Sequence, residues 1–441
     1  MSRAGRTTPA REVAFRVLRR VDGGAYADRA FAGEARKADL SGEDRALAMR
    51  LAFGVVQRTR TLDHLIDESV DRPAALEPAV RDVLRLGAYQ LVFLDGVPAA
   101  AAVDESVRQA RALRGSAARG SARAGVVNAT LRRLAGDAAR VRAGLATGDP
   151  STAGLRHSMP DWIARRLVAA LGPEDAEGVM AAANLAAESA IRWNPLRGPR
   201  ATLEAELPAH HRGAFPDEAY VLDAPFALED SSAWARGRAM GQSRASMLPA
   251  HAVAPRANEH VIDMCAAPGA KATHLAALAR NACRLVAVEL HASRAAGLRR
   301  LAHRMGAVME VVEGDARTVP LRGDADAVLL DPPCTGLGVL AARPDARWRR
   351  REEAIAPLVA LQRALVERAM ELLRPGGRLV YSTCTLLPEE NERLLASLGL
   401  QLDPALCEEW PSLAHPRVPG ALLVLPHRHG TDGFFVARVI A

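Results

Sequence analysis

The sequence predicts an α/β protein in which an all-helical N-terminal third precedes a doubly wound, mostly parallel sheet. Three observations predict this fold class. From residue 9 to about 145, apolar residues recur at three- and four-residue spacing, which is the period of amphipathic helices. From about residue 255 onward, short apolar runs alternate with helix-like segments, as in repeated βα units. Between these two regions, helix-like and strand-like pieces are mixed.

The N-terminal third, residues 1–147, is predicted to be one all-helical domain. Five segments carry the helical pattern: AREVAFRVLRRV, DRALAMRLAFGVVQRTRTLDHLID, PAVRDVLRLGAYQLVFL, AAAVDESVRQARAL and AGVVNATLRRL. Gly, Pro or Asp separates them, and the stretch TGDPSTAG, Thr147 to Gly154, has the composition of a linker.

Residues 155–250 are predicted to form a small α+β subdomain. Helical patterns occur in PDWIARRLVAAL and EDAEGVMAAANLA, and strand-like ones in AIRWNPL and YVLDAPF. Residues 251–441 are predicted to form the main sheet, with strands in HVIDMCA, RLVAVEL, MEVVEGD, DAVLLDPP, GGRLVYSTC and GFFVARVI. Ligands of such sheets bind at the carboxyl ends of the strands, so the segments DMCAAPG, DPPC and YSTC are expected at one edge.

Composition restricts the class of protein. The chain has 441 residues, of which 49% are hydrophobic, but no apolar run reaches the ~18 residues that a membrane span requires. The basic start lacks the apolar segment of a secretory signal, so we expect a cytoplasmic protein without a membrane partner. Five cysteines lie far apart with no C-x-x-C pair or zinc-finger spacing, which predicts free thiols and no metal.

The positive charge is concentrated in the N-terminal third. Residues 1–150 hold 25 Arg and Lys against 18 Asp and Glu, a net of +7, and the remaining residues balance at 33 against 33. Nine of these arginines lie between Arg108 and Arg142. A polyanion is the natural partner of such a region, although a solvated helix face is an alternative explanation. A second run, Arg343 to Arg351, follows DPPC and is also expected to meet the phosphates of such a partner. Trp348 within it suits either base stacking or a core position.

Acidic and thiol groups follow the predicted strands. The segment Val261–Leu275 reads as strand, small-residue turn and helix start, a geometry in which backbone N–H groups approach a polar ligand. Its sequence is neither the dinucleotide nor the P-loop motif, which weakens NAD and ATP as ligands. Glu289 ends the next strand, where a carboxylate reaches ribose hydroxyls. Asp315, Asp331, Cys334 and Cys384 follow later strands.

The ordered set CAAPGAK, GDAR, DPPCTGLG, YSTCTLLPEEN and DGFF resembles the S-adenosylmethionine-dependent RNA cytosine-5 methyltransferases. The match spans about residues 155–441, and the helical third resembles the NusB-like domain of one branch, the bacterial 16S rRNA methyltransferases of the RsmB (Fmu/Sun) type. The resemblance implies a Rossmann-like catalytic domain at 251–441, with a mixed, mostly parallel sheet. It further implies a small RNA-binding subdomain at 155–250, S-adenosyl-L-methionine as cofactor and 16S rRNA as partner. We expect a monomer.

The same resemblance assigns residue roles. Cys384 would be the nucleophile, Cys334 would assist release, and Asp331 would hydrogen-bond the base and touch the cofactor. In related DNA enzymes the Pro-Cys thiol attacks, so the reverse order of the two cysteines remains open. The implied cofactor-binding residues are Cys265, Ala266, Ala267, Pro268, Gly269, Ala270, Lys271, Glu289, which would hold the ribose, and Asp315, on the adenine side.

Two residues depart from the family pattern. Ala270 replaces a usual second glycine, which is tolerable only if its φ is negative, and Glu289 replaces a usual Asp. Glu389 and Glu390 suit an acidic first helical turn. Alternatives to the assigned reaction are methylation of another RNA such as tRNA, methylation of an exocyclic amine, or a non-enzymatic RNA-binding module linked to transcription. The two cysteines disfavour the amine reaction.

Overall fold

The computed structural model describes residues 7–40, 42–146, 152–224 and 226–441. Most of the predicted linker, residues 147–151, lies outside the described residues. The described chain packs into two compact units. The first comprises the residues up to Leu185 together with Leu340–Arg349, and the second comprises Ala186–Val339 and Arg350–Ala441. The three-domain division drawn from the sequence stays a proposal beside these two units.

The first unit is helical, as the sequence predicts for residues 9–145. Its helices are α1 Pro9–Asp22, α2 Ala27–Ala38, α3 Gly42–Ser69, α4 Pro78–Phe93, α5 Ala99–Ala112, α6 Ala117–Ala146, α7 Ala153–Arg156, α8 Asp161–Leu171 and α9 Pro173–Ala182. The apolar stripes become buried faces: α1 buries Ala10, Val13, Ala14, Val17 and Leu18, which is the i, i+3, i+4 pattern of a helix packed on a core.

The second unit begins with a four-stranded antiparallel sheet of order β2-β3-β1-β4. Its strands are β1 Ala190–Trp193, β2 His210–Arg212, β3 Ala219–Leu222 and β4 Ala239–Gly241, and its helices are α10 Arg200–Glu204, α11 Ser232–Ala235 and α12 Arg244–Val253. The strands predicted in AIRWNPL and YVLDAPF are β1 and β3. Ile191, Leu203 and Tyr220 lie in its small apolar core.

A seven-stranded sheet of order β10-β11-β9-β8-β5-β6-β7 forms the rest of the unit. The elements are β5 His260–Asp263, α13 Ala270–Leu278, β6 Arg284–Glu289, α14 Ala292–Met305, β7 Glu310–Glu313, β8 Ala325–Leu330, α15 Ala346–Arg349 (packed in the first unit), α16 Ile355–Leu372, β9 Leu373–Thr383, α17 Glu392–Ser397, α18 Ala405–Glu409, β10 Ala421–Val424, α19 Pro426–His429 and β11 Phe434–Ile440.

Strands β5 to β9 are parallel to one another, and β11 runs antiparallel to its two neighbours, β9 and β10. Neighbouring residues Val261 and Ile262 belong to different apolar clusters, because successive side chains of a strand point to opposite faces. α12 and α13 cover one face and α16 covers the other. The sheet is therefore doubly wound and mixed, mostly parallel, as predicted. None of the described helices has the length and apolarity needed to cross a membrane.

Arg347 is a fully buried charge in the first unit. Its guanidinium has no exposed surface and donates to the carbonyl oxygens of Gln57 and Ala183 and to the Asn184 side chain, at 3.1, 2.8 and 2.9 Å. Trp348 donates its indole N–H to the Val56 carbonyl at 2.7 Å and packs on the helical core. The segment Leu340–Arg349 is thus an integral part of the helical unit.

A buried polar cluster joins the small sheet to the main one. Glu218 Oε1 lies 2.7 Å from Nε2 of both His251 and His274, but only the His251 contact has hydrogen-bond geometry. Burial, together with the nearby charge of Arg192, lowers the pKa of His274 to about 3. Arg192 is itself fully buried, and its guanidinium donates to the Ala270 carbonyl at 3.1 Å and to the Thr273 hydroxyl at 3.0 Å.

We predict that Arg347→Ala destabilises the helical unit by about 3 kcal/mol or more, because several buried oxygens lose their donor at a cost of ~1–3 kcal/mol each. Thermal unfolding followed by circular dichroism measures the loss. Arg343, exposed in the same segment, provides the matched control, since exposed substitutions usually stay within about 0.5 kcal/mol. Equal midpoints for Arg347→Ala and Arg343→Ala would contradict this role.

Acidification is predicted to destabilise the second unit through His274. Its pKa is depressed on folding, so between about 6.5 and 3 the unfolded chain takes up a proton that the folded chain refuses. The stability present above pH 6.5 is therefore lost as the pH falls. His274→Asn removes this dependence, so the gap in Tm between native and variant protein should shrink from pH 7 to pH 4.5. The exposed His303, changed to Asn, is the control, and parallel Tm curves for native and His274→Asn protein would refute the assignment.

Candidate active site

Five parallel strands end at one edge of the main sheet. Residue Asp263 closes β5, Glu289 closes β6, and Asp331 and Cys384 are the first residues after β8 and β9. The parallel register aligns Asp263 with Ala287 and Leu329 on its two neighbours. The structure thereby brings to one edge the acidic and thiol residues that the sequence placed at the ends of strands.

The turn after β5 leads directly into helix α13. Gly269 caps that helix with φ 114°, and a Cβ there would lie 2.6 Å from Leu298 and 2.8 Å from Leu301 side-chain atoms. Only glycine fits this position. Ala270 is the first residue of α13 and its φ is not positive, so the alanine that replaces the usual glycine adopts ordinary helical geometry.

Two carboxylates flank this turn. Asp263, which the sequence analysis did not single out, is buried, and burial raises its pKa to about 7. Its Oδ1 accepts from the Cys265 N–H at 3.3 Å, while its Oδ2 has no hydrogen-bond partner. Glu289 is 4% exposed, accepts from the His291 N–H at 2.9 Å and lies 3.4 Å from the Arg294 guanidinium. Arg294 also donates to the Ala267 carbonyl at 2.7 Å, which ties the turn to β6.

Asp315 follows β7 and is paired locally. Its carboxylate accepts from the backbone N–H and the guanidinium of Arg317, with N–O distances of 2.5 to 3.1 Å. This pairing lowers the pKa of Asp315. Any ligand that takes this carboxylate as an acceptor must share it with, or displace, the exposed Arg317 side chain.

Lys271 connects the turn to the thiols. Its ammonium lies 2.7 Å from Asp331 Oδ2 and 5.1 Å from the centre of the Phe434 ring. Burial opposes its charge, but the charges of Asp331 and Cys384 outweigh that effect and raise the pKa of Lys271. Ser382 donates to the other Asp331 oxygen at 3.2 Å. The resemblance assigned Lys271 to the cofactor loop, whereas the structure directs its ammonium to Asp331.

The two cysteines named from the sequence are neighbours. Their sulfur atoms are 3.4 Å apart, Cys334 is buried, and Cys384 is partly exposed. The hydrogen bond with Cys384 is the largest cause that raises the pKa of the Cys334 thiol well above its ordinary value, and burial is the second. Cys334 therefore keeps its proton, and Lys271 is close enough to Cys384 for the two to interact electrostatically.

The other three cysteines are buried, partly buried or hydrogen-bonded to the backbone. Burial raises the pKa of Cys265 and, less strongly, that of Cys283, and the Cys407 thiol donates to the Ala421 carbonyl at 3.3 Å. Among the described residues, one group has the side chains and spacing of a metal-ligand set, and it is the Glu218, His251 and His274 cluster. It shares no residue with the edge described here, and its charge is balanced by the buried Arg192.

The arginine run after DPPC contains residues that contact other parts of the protein and residues that are exposed. Arg347 and Trp348 are structural, and Arg349 contacts Asp345 at 2.6 Å and the Gly24 carbonyl at 3.1 Å. The expectation that this run meets RNA phosphate is therefore wrong for Arg347 and Arg349, and Trp348 takes the core position, which the sequence had left open beside base stacking. Arg343, Arg350 and Arg351 are exposed.

The N-terminal run keeps most of its charge on the surface. Arg123 is buried and pairs with Glu77, and Arg108 is half-buried against Glu105. The exposed members are Arg111, Arg114, Arg119, Arg132, Arg133, Arg140 and Arg142.

Comparison with known families agrees with the two-part architecture. Residues 250–440 match the family described as 16S rRNA methyltransferase RsmB/F, and residues 8–136 match the NusB family. The chain is similar to a probable ribosomal RNA small subunit methyltransferase B of Synechocystis, with 34% identity over 98% of this chain and 99% of that protein. A ribosomal RNA small subunit methyltransferase B of Sodalis glossinidius is 32% identical over 92% of this chain and 91% of its own.

Solved structures show the same fold. A methyltransferase homolog protein from Pyrococcus horikoshii is 28% identical, with a TM-score of 0.58 over 67% of this chain and 99% of that chain. The crystal structure of PH0851 aligns over 98% of both chains, with a TM-score of 0.78 and 25% identity.

Proposed function

We propose that this chain, which belongs to the RsmB/F family of S-adenosylmethionine-dependent 16S rRNA methyltransferases, methylates carbon 5 of a cytosine in small-subunit rRNA through a covalent cysteine adduct. One observation carries the proposal: two thiols 3.4 Å apart stand beside a Lys271–Asp331 ion pair at the edge where the parallel strands end. The substrate is proposed from the relatives, whose names specify the small ribosomal subunit.

The residues present fit S-adenosylmethionine, which would supply an electrophilic methyl group. The buried Asp263 carboxyl has an oxygen without a partner, and Glu289 ends the adjacent strand, as acceptors for an ammonium group and ribose hydroxyls require. The turn of Cys265, Ala266, Ala267, Pro268, Gly269 and Ala270 would lie against the cofactor, with Asp315 on the adenine side. Lys271 would complete this turn, with its ammonium directed to Asp331 beside the reacting base.

Cys384 begins the reaction because carbon 5 of cytosine is a weak nucleophile. Its thiolate forms a bond to carbon 6, and the electrons of the C5–C6 double bond move into the ring, which makes carbon 5 enamine-like. Lys271 favours the thiolate at this sulfur. Cys384 is also the more exposed of the two thiols, so a base can reach it.

Asp331 would stabilise the charge that develops on the cytosine ring. It lies between Lys271 and Ser382, which donate to its two oxygens. A hydrogen bond from this carboxyl group to ring nitrogen 3, with a proton shared between them, would stabilise the charge that develops on thiolate addition. Lys271 then holds the carboxyl group in place.

Release requires loss of the carbon 5 proton, return of its electrons to the C5–C6 bond, and departure of the Cys384 thiolate. While Cys384 carries negative charge, its hydrogen bond keeps the proton on Cys334. Once Cys384 is bonded to carbon 6 that charge is gone, and the pKa of Cys334 falls. Cys334 can then release its own proton to solvent and, as a thiolate, accept the carbon 5 proton, which suits assistance at release and supports Cys384 as the nucleophile.

The exposed arginines of the helical unit are proposed to hold rRNA phosphates. Seven of the nine arginines between Arg108 and Arg142 are exposed, on or near α5 and α6. Their density exceeds that of acidic residues in the same stretch, where Asp137 is the one carboxylate. Such a surface binds a polyanion without reading its sequence.

For the thiols, we predict that Cys384→Ala abolishes methyl transfer, and that Cys334→Ala forms the adduct but stalls at release. Labelled rRNA should then migrate with denatured Cys334→Ala protein on a gel. Cys407→Ala is the control, because Cys407 lies outside the segments that directly follow β8 and β9. This variant should behave as native protein. An adduct that accumulates in Cys384→Ala instead would exchange the two roles.

For the cofactor, Glu289→Ala should weaken S-adenosylmethionine binding by about tenfold or more, because hydrogen bonds to a charged acceptor are worth ~1.5–3 kcal/mol. Calorimetry measures the affinity, and rRNA binding should be unchanged. Glu310→Ala, at an exposed acid on the adjacent strand β7, serves as control. Equal cofactor affinity in the native and Glu289→Ala proteins would exclude Glu289 from the site.

For rRNA, replacing Arg111, Arg114, Arg119, Arg132 and Arg133 with Gln should flatten the plot of log affinity against log salt. Five phosphate contacts correspond to a slope change of roughly 3.5 to 4.5. Substitution is preferable to deleting the helical third, because Arg347 and Trp348 pack against that third. Cofactor affinity of the same variant is the control. An unaltered slope would mean that these arginines are only a solvated face.

A further inference from the structure

Glu390 is a buried carboxylate between the two cysteine loops. It follows Cys384 by six positions, in the short 3₁₀ turn Pro388–Glu390 before α17, and has no exposed surface. The sequence suggested only an acidic first helical turn for this residue. Its charge is satisfied instead by neutral donors, because the hydrogen bonds to its carboxylate come from Thr335 and Gln362.

The carboxylate fixes the loop that carries Cys334. Thr335, the next residue, donates its backbone N–H to Glu390 Oε2 at 2.9 Å and its hydroxyl to Oε1. Gln362 donates to the same Oε2 at 3.0 Å and to the Pro333 carbonyl at 2.9 Å. The residues on both sides of Cys334 are therefore held by one buried anion and its partner amide.

The same network reaches the loop that carries Cys384. The Thr335 and Thr385 hydroxyl oxygens are 2.7 Å apart. Thr335 uses its single hydroxyl proton on Glu390, so Thr385, the residue after Cys384, must be the donor between the two hydroxyls. The Gly338 N–H also donates to the Cys384 carbonyl at 2.9 Å. Each cysteine is thus one residue from a chain of hydrogen bonds that ends on Glu390.

Asn391 continues this arrangement. It accepts from the Thr383 hydroxyl at 2.5 Å and donates to the Thr385 carbonyl at 3.1 Å, so it holds the residues on both sides of Cys384. The Tyr381 hydroxyl donates to the Glu390 carbonyl at 2.6 Å, which fixes the turn to β9. The turn after Cys384 is consequently fixed by hydrogen bonds to the residues that flank both thiols.

We propose that Glu390 is a positioning residue that sets the separation of the Cys334 and Cys384 sulfurs, on which the rate of methyl transfer depends. The inference rests on the proposed function for its catalytic meaning, but the separation itself is measurable without RNA. A misplacement of about 1 Å costs on the order of 100-fold in rate.

The separation is tested through oxidation of the full-length protein by diamide. Cys334 and Cys384 each lose a proton and together lose two electrons to form one S–S bond, while diamide is reduced to its hydrazine. Mass spectrometry of peptides gives the rate of formation of this bond. In native protein the sulfurs are 3.4 Å apart, so the bond should form readily.

Glu390→Ala should slow this bond formation by at least tenfold and slow methyl transfer by about 100-fold. Glu390→Gln should recover the oxidation rate to within about threefold of native. Its amide oxygen, in the place of Oε2, can accept from the Thr335 N–H and from Gln362 as in native protein. Its nitrogen, in the place of Oε1, can donate to the Thr335 hydroxyl oxygen, whose proton then turns to Thr385. Glu389→Gln, at the adjacent residue, is the matched control and should match native protein in both measurements.

An oxidation rate in Glu390→Ala equal to that of native protein would overturn the inference. If Glu390→Ala does not fold, Thr385→Val removes the link between the two loops, and its unchanged oxidation rate overturns the inference equally. The proposed function fails separately: native protein that forms the disulfide rapidly yet transfers no methyl group to rRNA refutes cytosine methylation and leaves the positioning role of Glu390 intact.

Discussion

The whole catalytic arrangement depends on the common direction of β9, β8, β5, β6 and β7. Because these strands are parallel, their carboxyl ends coincide, and residues that are more than a hundred positions apart in the chain meet at one edge. Neighbouring strands lie ~4.8 Å apart, and β8 and β9 are neighbours. The contact between Cys334 and Cys384 follows directly from that spacing, since each thiol lies just beyond the end of its strand.

The order of the strands also separates two tasks. The acids that suit a cofactor are the last residues of β5 and β6 and a residue shortly after β7, whereas the thiols follow β8 and β9. Asp331, directly after β8, lies between the two groups. Lys271 comes from the first turn of α13, after β5, yet contacts Asp331 after β8. It is one of two lysines in a chain rich in arginine. A compact ammonium suits a narrow place beside a thiol and a carboxylate better than the broad, planar guanidinium.

Much of this could be predicted from the sequence, because its signals are local. Apolar periodicity predicted five of the helices up to residue 146 and six strands of the main sheet, and strand ends marked Glu289, Asp331, Cys334 and Cys384. The helix α2, which is rich in alanine, and the strands β2, β4 and β10, which are three or four residues long, carry too weak a pattern. Arg347, Asp263 and Glu390 were missed for another reason: their roles arise from burial and from partners distant in the chain, which no local spacing records.

The insertion of Leu340–Arg349 into the helical unit has a consequence for biosynthesis. The N-terminal helices leave the ribosome first, but Arg347, which caps carbonyl groups among them, is made about 160 residues after Leu185. At 5–20 residues per second, roughly 10 to 30 s pass between the synthesis of those helices and the synthesis of Arg347. During that interval the polar groups that Arg347 later engages are solvated, and most of the second unit is already available to fold. The helical unit, though first in the sequence, is therefore completed late in translation.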